Sequence, residues 1–226
     1  MTTKLRLYNA ALTLCGQAAI SALTEQTEAR RLLDLAWDNG AVRSVLEKGS
    51  WIFAERTQRL DFDPSFDPDF GFRRAFQKGS DWVSTNAVCS DEFFQSPLLR
   101  YSDEAGFLYA DEDFIYVKFV SDDVAFGADL STWTNSFTEY AEAFMASKII
   151  FKLTSDKDRV TFLMGADASG TKSGYMHQKL RTARSSDARQ DPTKFPPPGS
   201  WVMSRGGFWR GRGPMGDGGS GGSLIG

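Results

Sequence analysis

Histidine and cysteine are almost missing from this chain: His177 is the only histidine, and Cys15 and Cys89 are the only cysteines in 226 residues. Two cysteines without metal-type spacing argue against a zinc site and against a disulfide framework, and they fit a reducing compartment. A lone His177, in a polar stretch beside Lys179, has no cysteine nearby and no signature of a serine nucleophile to activate. It reads as a solvated helix residue rather than a catalytic base. No apolar run approaches the roughly 20 residues needed to span a bilayer. Met1-Thr2-Thr3-Lys4 passes straight into a helical pattern, with no apolar core of a signal peptide. The expected setting is a cytoplasm, left only inside a larger assembly. An excess of either charge is missing too: 26 Lys+Arg oppose 29 Asp+Glu, for a net charge of −3. No internal repeat is visible.

What is present is 41% hydrophobic residues, enough for one good-sized core or two small ones. Leu5, Tyr8, Leu12 and Cys15 recur at helical spacing, with Thr3 as N-cap and Gly16 as stop. A second helix is expected after Thr24. Glu25 and Glu28 suit its N-terminal end, and Leu32, Leu35, Ala36, Val42, Val45 and Leu46 form its stripe. Asn39-Gly40 kinks or splits it, and Gly49 closes it.

After Trp51 the texture becomes β-like. Asp61-Phe62-Asp63-Pro64 and Asp67-Pro68-Asp69 are turn chemistry, with Phe70, Phe72, Arg74 and Phe76 alternating around them. The aromatic and β-branched runs 106–109 and 114–120, joined by Ala110-Asp111-Glu112-Asp113, predict a β-hairpin. Helix returns at Ser136-Phe137-Thr138-Glu139, which matches a capping box. Behind it Phe137, Tyr140, Ala141, Phe144, Met145, Ile149 and Leu153 make a broad apolar stripe. From about Asp156 to Arg189, Gly165, Gly170 and Gly174 predict two shorter helices, or one that needs support from its neighbours. The expected fold is α+β: a helical bundle from 1–55 and 121–190, an inserted β-rich module over 56–120, and an extended Gly/Pro-rich arm over 191–226.

The arm is the most informative segment. Its glycine and proline content cannot offset the entropy of folding alone. Yet it carries Phe195, Trp201, Phe208 and Trp209 together with Lys194, Arg205, Arg210 and Arg212. Against Asp191 and Asp217 these cations give the arm a net charge of +2, which leaves −5 for the rest. An acidic body is a poor general binder of duplex DNA. Pro196, Pro197 and Pro198 stiffen the approach to Trp201. The basic and aromatic residues fit stacking on single-stranded nucleic acid, anchoring in a protein pocket, or a tail without a role. The short basic block behind a proline-stiffened reach favours protein.

Candidate chemistry elsewhere is weaker. Asp61, Asp63, Asp67 and Asp69 sit close together, as paired acids of glycoside hydrolysis do, but two of them precede proline in turn contexts. Their spacing misses the calcium-loop pattern. Asp111-Glu112-Asp113 and Asp122-Asp123 read as solvated loops. Gly206-Gly207 and Gly218-Gly219 lack the strand and helix that shape a phosphate loop. No catalytic residue, cofactor or metal site is expected.

Several segments carry a resemblance in their order along the chain. They are Leu7-Tyr8-Asn9-Ala10-Ala11-Leu12, Thr24-Glu25 with Glu28-Ala29-Arg30-Arg31, and Leu46-Glu47-Lys48-Gly49-Ser50-Trp51 running into Phe53-Ala54 and Arg56-Thr57. Phe119-Val120-Ser121-Asp122-Asp123 and Phe195-Pro196-Pro197-Pro198-Gly199-Ser200-Trp201 complete them. Together they resemble the tail tubular protein A family of short-tailed bacteriophages, the head-to-tail adaptors. The resemblance implies a dodecameric ring beneath the phage portal protein, a β part reaching the tail nozzle protein, and a C-terminal extension docked on the portal. DNA is then only passing cargo, no membrane is involved, and the site is the virion's head-tail junction. Nothing in the residues carries over the polysaccharide hydrolysis suspected of some members.

Overall fold

A computed structural model describes residues 2–104, 106–154, 156–165 and 173–190. Helices and antiparallel strands share this part of the chain, so the fold is α+β.

Helix α1, Lys4–Leu14, starts where the Thr3 hydroxyl accepts the Arg6 N–H at 3.3 Å. It stops at Gly16, whose φ of +70° is open to glycine at little cost. Helix α2, Glu28–Asp38, begins three residues later than expected. Thr27, not Thr24, takes the Arg30 N–H, while Glu25 turns back to accept the N–H and hydroxyl of Ser21. Asn39-Gly40 splits the apolar stripe into two helices, because Gly40 lies at φ +78° before α3, Ala41–Leu46. Helix α4, Asn135–Leu153, is buried along most of its length. Its cap corrects the capping-box reading: Thr134 accepts the Phe137 N–H, and the Glu139 carboxylate pairs with Lys179 at 2.6 Å instead of reaching back. Helices α5, Lys157–Met164, and α6, Tyr175–Ala188, are separate.

Between α3 and α4 lie β1 (Glu55–Asp61), β2 (Arg74–Gln77), β3 (Trp82–Cys89), β4 (Ser102–Glu104), β5 (Phe107–Ala110) and β6 (Phe114–Ser121). They form two three-stranded antiparallel sheets, in the orders β1-β6-β3 and β2-β5-β4. The expected hairpin of β5 with β6 is therefore absent: the two strands belong to different sheets. The link between them is held away from a tight turn, and the strands pack face to face. Asp111 accepts the Arg73 N–H and pairs with Arg100, and Asp113 pairs with Arg74, so the acidic turn is held by flanking segments. Leu108 and Ala110 then meet Ile115, Val117 and Phe119 within one core, joined by Phe76, Trp82 and Val88. Burying both apolar faces against each other decides the arrangement. Phe70 and Phe72 precede β2 and lie outside it.

A second, larger core gathers residues from α1 to α6 with Trp51, Ala54, Val120 and Trp133. Trp51 and Trp133 both meet Phe137 edge to face with centroids 4.7 Å apart, and their indole N–H groups donate to Leu46 and Gly127 carbonyls. Strand β6 joins the two cores, since Phe119 stacks on Trp82 at 3.8 Å in one while the next residue, Val120, enters the other.

Candidate functional site

The arm residues Lys194, Phe195, Pro196, Pro197, Pro198, Trp201, Arg205, Phe208, Trp209, Arg210 and Arg212 lie outside the described residues. The other sequence candidates can be placed. Asp61 pairs with Arg59 at 2.8 Å on the exposed end of β1. Asp63 takes the hydroxyl and N–H of Ser65, and these bonds hold its carboxyl below the usual range. Asp67 and Asp69 are exposed in the turn that follows. Asp61 thus serves a strand end and Asp63 the turn after it. His177 is half-buried on α6. Among the described residues no group of three or more His, Cys, Asp or Glu side chains is placed to hold a metal ion. Neither Cys15 nor Cys89 is in a disulfide, and both are buried. Burial pushes the Cys15 thiol up to about 11 and so keeps it protonated at neutral pH.

Asp122 and Asp123 depart from the solvated-loop reading. Asp122 receives the Arg43 guanidinium at 2.7 Å, and the same guanidinium donates to the Trp82 carbonyl at 2.5 Å. Asp123 accepts the Ala125 N–H, and its own N–H donates to the fully buried Ser121 hydroxyl. Ser121 donates to Asp81, which also pairs with Arg56 at 2.9 Å. Partial burial alone would raise the Asp81 carboxyl, but the bonds from Ser121 and Arg56 hold it below the usual range. These residues tie α3, β1, β3 and the end of β6 together. Their role is positional.

What the surface offers is apolar. In the β part, Phe93 is 72% exposed and Leu99 93% exposed, and among the helices Phe151 and Phe162 are 66% and 60% exposed. Phe93 stands on a loop that the chain holds firmly. Ser90 N–H donates to the Ser96 carbonyl, Leu98 N–H to Val88, and the Asp91 carboxylate accepts the N–H groups of Gln95 and Ser96. Those N–H groups, Gln95 first, keep the Asp91 carboxyl low. Phe94 takes φ +57°, which costs a non-glycine residue about 1 kcal/mol or more, and its ring lies under Lys118 at 4.9 Å. The loop thus presents Glu92 and Phe93 outward at a conformational cost.

A groove of about 210 Å³ lies between α2, α3 and α4. Leu32 and Ile149 are buried beneath it, Leu35 is half exposed beside it, and Lys148 and Lys152 border it. It is smaller than the roughly 300–1,000 Å³ of small-molecule sites. Sequence reasoning missed both features. The groove exists only because Asn39-Gly40 sets α3 off from α2, and Leu35 counted there as an ordinary stripe residue. For the loop the available signal is Phe93-Phe94 inside the polar run Ser90-Asp91-Glu92 and Gln95-Ser96-Pro97.

No described helix is long and apolar enough to cross a membrane. Comparison with protein-family models and with curated proteins found no match.

Proposed function

We propose that this chain is a structural subunit of a phage head-tail junction: a ring adaptor that joins the portal to the tail nozzle and leaves a channel for DNA. In this reading the helical part is a bundle built from the two ends of the chain, the β part is a module inserted into it, and the arm from Lys194 to Arg212 binds the portal. The observation that supports it most is the exposure of large apolar side chains on both parts, Phe93 and Leu99 on one and Phe151 and Phe162 on the other. Exposed apolar surface on both parts suits a protein with several protein neighbours. The order of segments resembling the adaptor family supports the same reading, and so does the use of the candidate carboxylates in turns and ion pairs. A mildly acidic lumen would avoid trapping the polyanion that passes through it, and heterologous contacts between identical subunits close such a ring.

Electron microscopy of the protein with its portal tests this directly. Rotationally symmetric rings are expected; isolated one-to-one complexes without a ring would refute the proposal.

A further inference from the structure

The loop 90–96 and the groove between α2 and α4 are both apolar at their centres and opposite in charge at their borders. The loop offers one protruding ring, Phe93, with Glu92 exposed beside it. The groove offers apolar walls from Leu32, Leu35, Ala36 and Ile149, with Lys148 and Lys152 exposed along α4. Neither lysine is in an ion pair with a described residue; Lys148 lies 4.9 Å from the Phe144 ring centroid. Likewise Glu92 is in no ion pair with a described residue.

We propose that the Phe93 loop of one copy of this chain seats in the α2–α4 groove of a second copy, with Glu92 of the first facing Lys148 and Lys152 of the next. The proposal gives the subunit contact of the ring reading and rests on that reading. Three points argue for a second copy as the occupant. The volume suits a single aromatic side chain rather than a ligand. The charges are opposite, which sets orientation and register between partners. The arm is another source of aromatic side chains, but Lys194, Arg205, Arg210 and Arg212 would bring cations towards two lysines. The loop and the groove are different patches of one surface, so each copy has one of each to give. Such a contact is heterologous: it propagates from copy to copy and gives a ring where the rotation between copies closes. One ring and one ion pair are far below the area of a stable interface, so the contact is weak alone and strengthens when copies are held side by side.

Cysteine trapping detects so weak a contact. In the full-length chain, Phe93→Cys and Leu35→Cys are made separately, mixed at high concentration and oxidised with glutathione disulfide; Cys15 and Cys89 are buried. A disulfide-linked dimer in the mixture is expected, at least tenfold more abundant than in either variant alone. Adding Glu92→Lys to the first partner should reduce it at least fivefold, and adding Lys148→Glu and Lys152→Glu to the second should restore it. Because Phe93→Cys also removes the anchoring ring, Glu92→Cys is trapped against Lys152→Cys in parallel with the ring and Leu35 intact, and no dimer in either mixture would overturn the proposal. So would preferential trapping of Leu35→Cys by Trp201→Cys, which would make the arm the occupant. If an amine cross-linker applied on the portal still gives a ladder of oligomers, the ring survives and only this contact fails; with no ladder, both readings fail.

Discussion

Replacing Gly127 by alanine tests whether the two cores are joined as tightly as the geometry requires. A Cβ at this position would stand 2.2 Å from the Ser121 carbonyl oxygen, 2.7 Å from Leu46 Cδ1 and 3.1 Å from Ala54 Cβ. The nearest atom is backbone, at the end of β6, and cannot rotate away. Relief requires the loop to move, and the loop is bonded on both sides of the residue. Gly127 N–H donates to Ser121 at 3.1 Å, and the Gly127 carbonyl accepts the Trp133 indole N–H at 2.9 Å. Overpacking costs about 1–3 kcal/mol and each lost hydrogen bond about 1 kcal/mol, so roughly 3–5 kcal/mol is expected. For a chain of this length that lowers the melting temperature by roughly 6–20 °C. Gly40→Ala is the control, since its Cβ would meet nothing within 4 Å and only the φ of +78° opposes it. That should cost about 1–2 kcal/mol. Urea unfolding of both variants, read at constant slope, gives the comparison. A Gly127→Ala loss below about 1 kcal/mol, or one no larger than that of Gly40→Ala, would refute the close approach and the role assigned to it.

Other outcomes follow from single groups. Burial raises the Glu142 carboxyl; Arg6 opposes this and Glu139 adds to it. A carboxyl raised in the fold ionises first in the unfolded chain, so the stability present below about pH 4 falls as pH rises through the folded value. Glu142→Gln should therefore raise the urea midpoint at pH 7 and leave it unchanged near pH 3.5; a lower midpoint at pH 7 would contradict the assignment. Arg43→Ala should cost about 1–2 kcal/mol, discounted for partial exposure, and a double-mutant cycle with Asp122→Asn should show coupling of the order of 1 kcal/mol. Additive losses would mean the pair is incidental. Trp201→Ala should weaken portal docking by about 2–4 kcal/mol without changing the melting of the free protein; docking equal to wild type would remove this residue from the interface. Asp63→Asn should leave no measurable glycan turnover to lose, and activity that disappears with it would reopen the hydrolase reading.

The helices were legible because their signals are local. Thr3 and Gly16 bound α1 as their chemistry requires, and Asn39-Gly40 separates α2 from α3. The errors at the caps have local rivals as their cause: Thr27 outcompetes Thr24, and Thr134 outcompetes Ser136, each one turn or less away. Strand pairing was not legible. Phe107–Ala110 and Phe114–Ser121 are both apolar and alternating, with an acidic link between them, and that pattern fits a hairpin or a turn between two packed sheets equally well. The choice is made by burial against residues distant in sequence, Phe76, Trp82 and Val88, while Arg73, Arg74 and Arg100 only hold the acidic link in place. The same limit applies to the site. Phe93 and Leu35 announce nothing by residue type, since an exposed apolar side chain and a core one are identical until the chain is folded. Asp122 read as a loop residue because Arg43, its partner, is 79 positions away.

The ties around β6 join the helical and β parts through several kinds of contact. Phe119 and Val120 are consecutive, fully or almost fully buried, and committed to different cores, so β6 cannot slide along either without exposing one of them. A slip of one residue would exchange their faces. Next to this apolar lock, Arg56, Asp81 and Ser121 and the pair Arg43 with Asp122 fix the angle, because charge-assisted bonds demand orientation as well as distance. Gly127 then brings the chain back against Ser121, close enough that no side chain fits between. Three constraints meet within nine residues of sequence, 119–127. These contacts tie α3 to the β1-β6-β3 sheet directly and not through a linker. On the adaptor reading a rigid joint is what the task requires: a portal gripping the helical part and a nozzle gripping the β part would have their spacing set by β6 and not by a flexible linker.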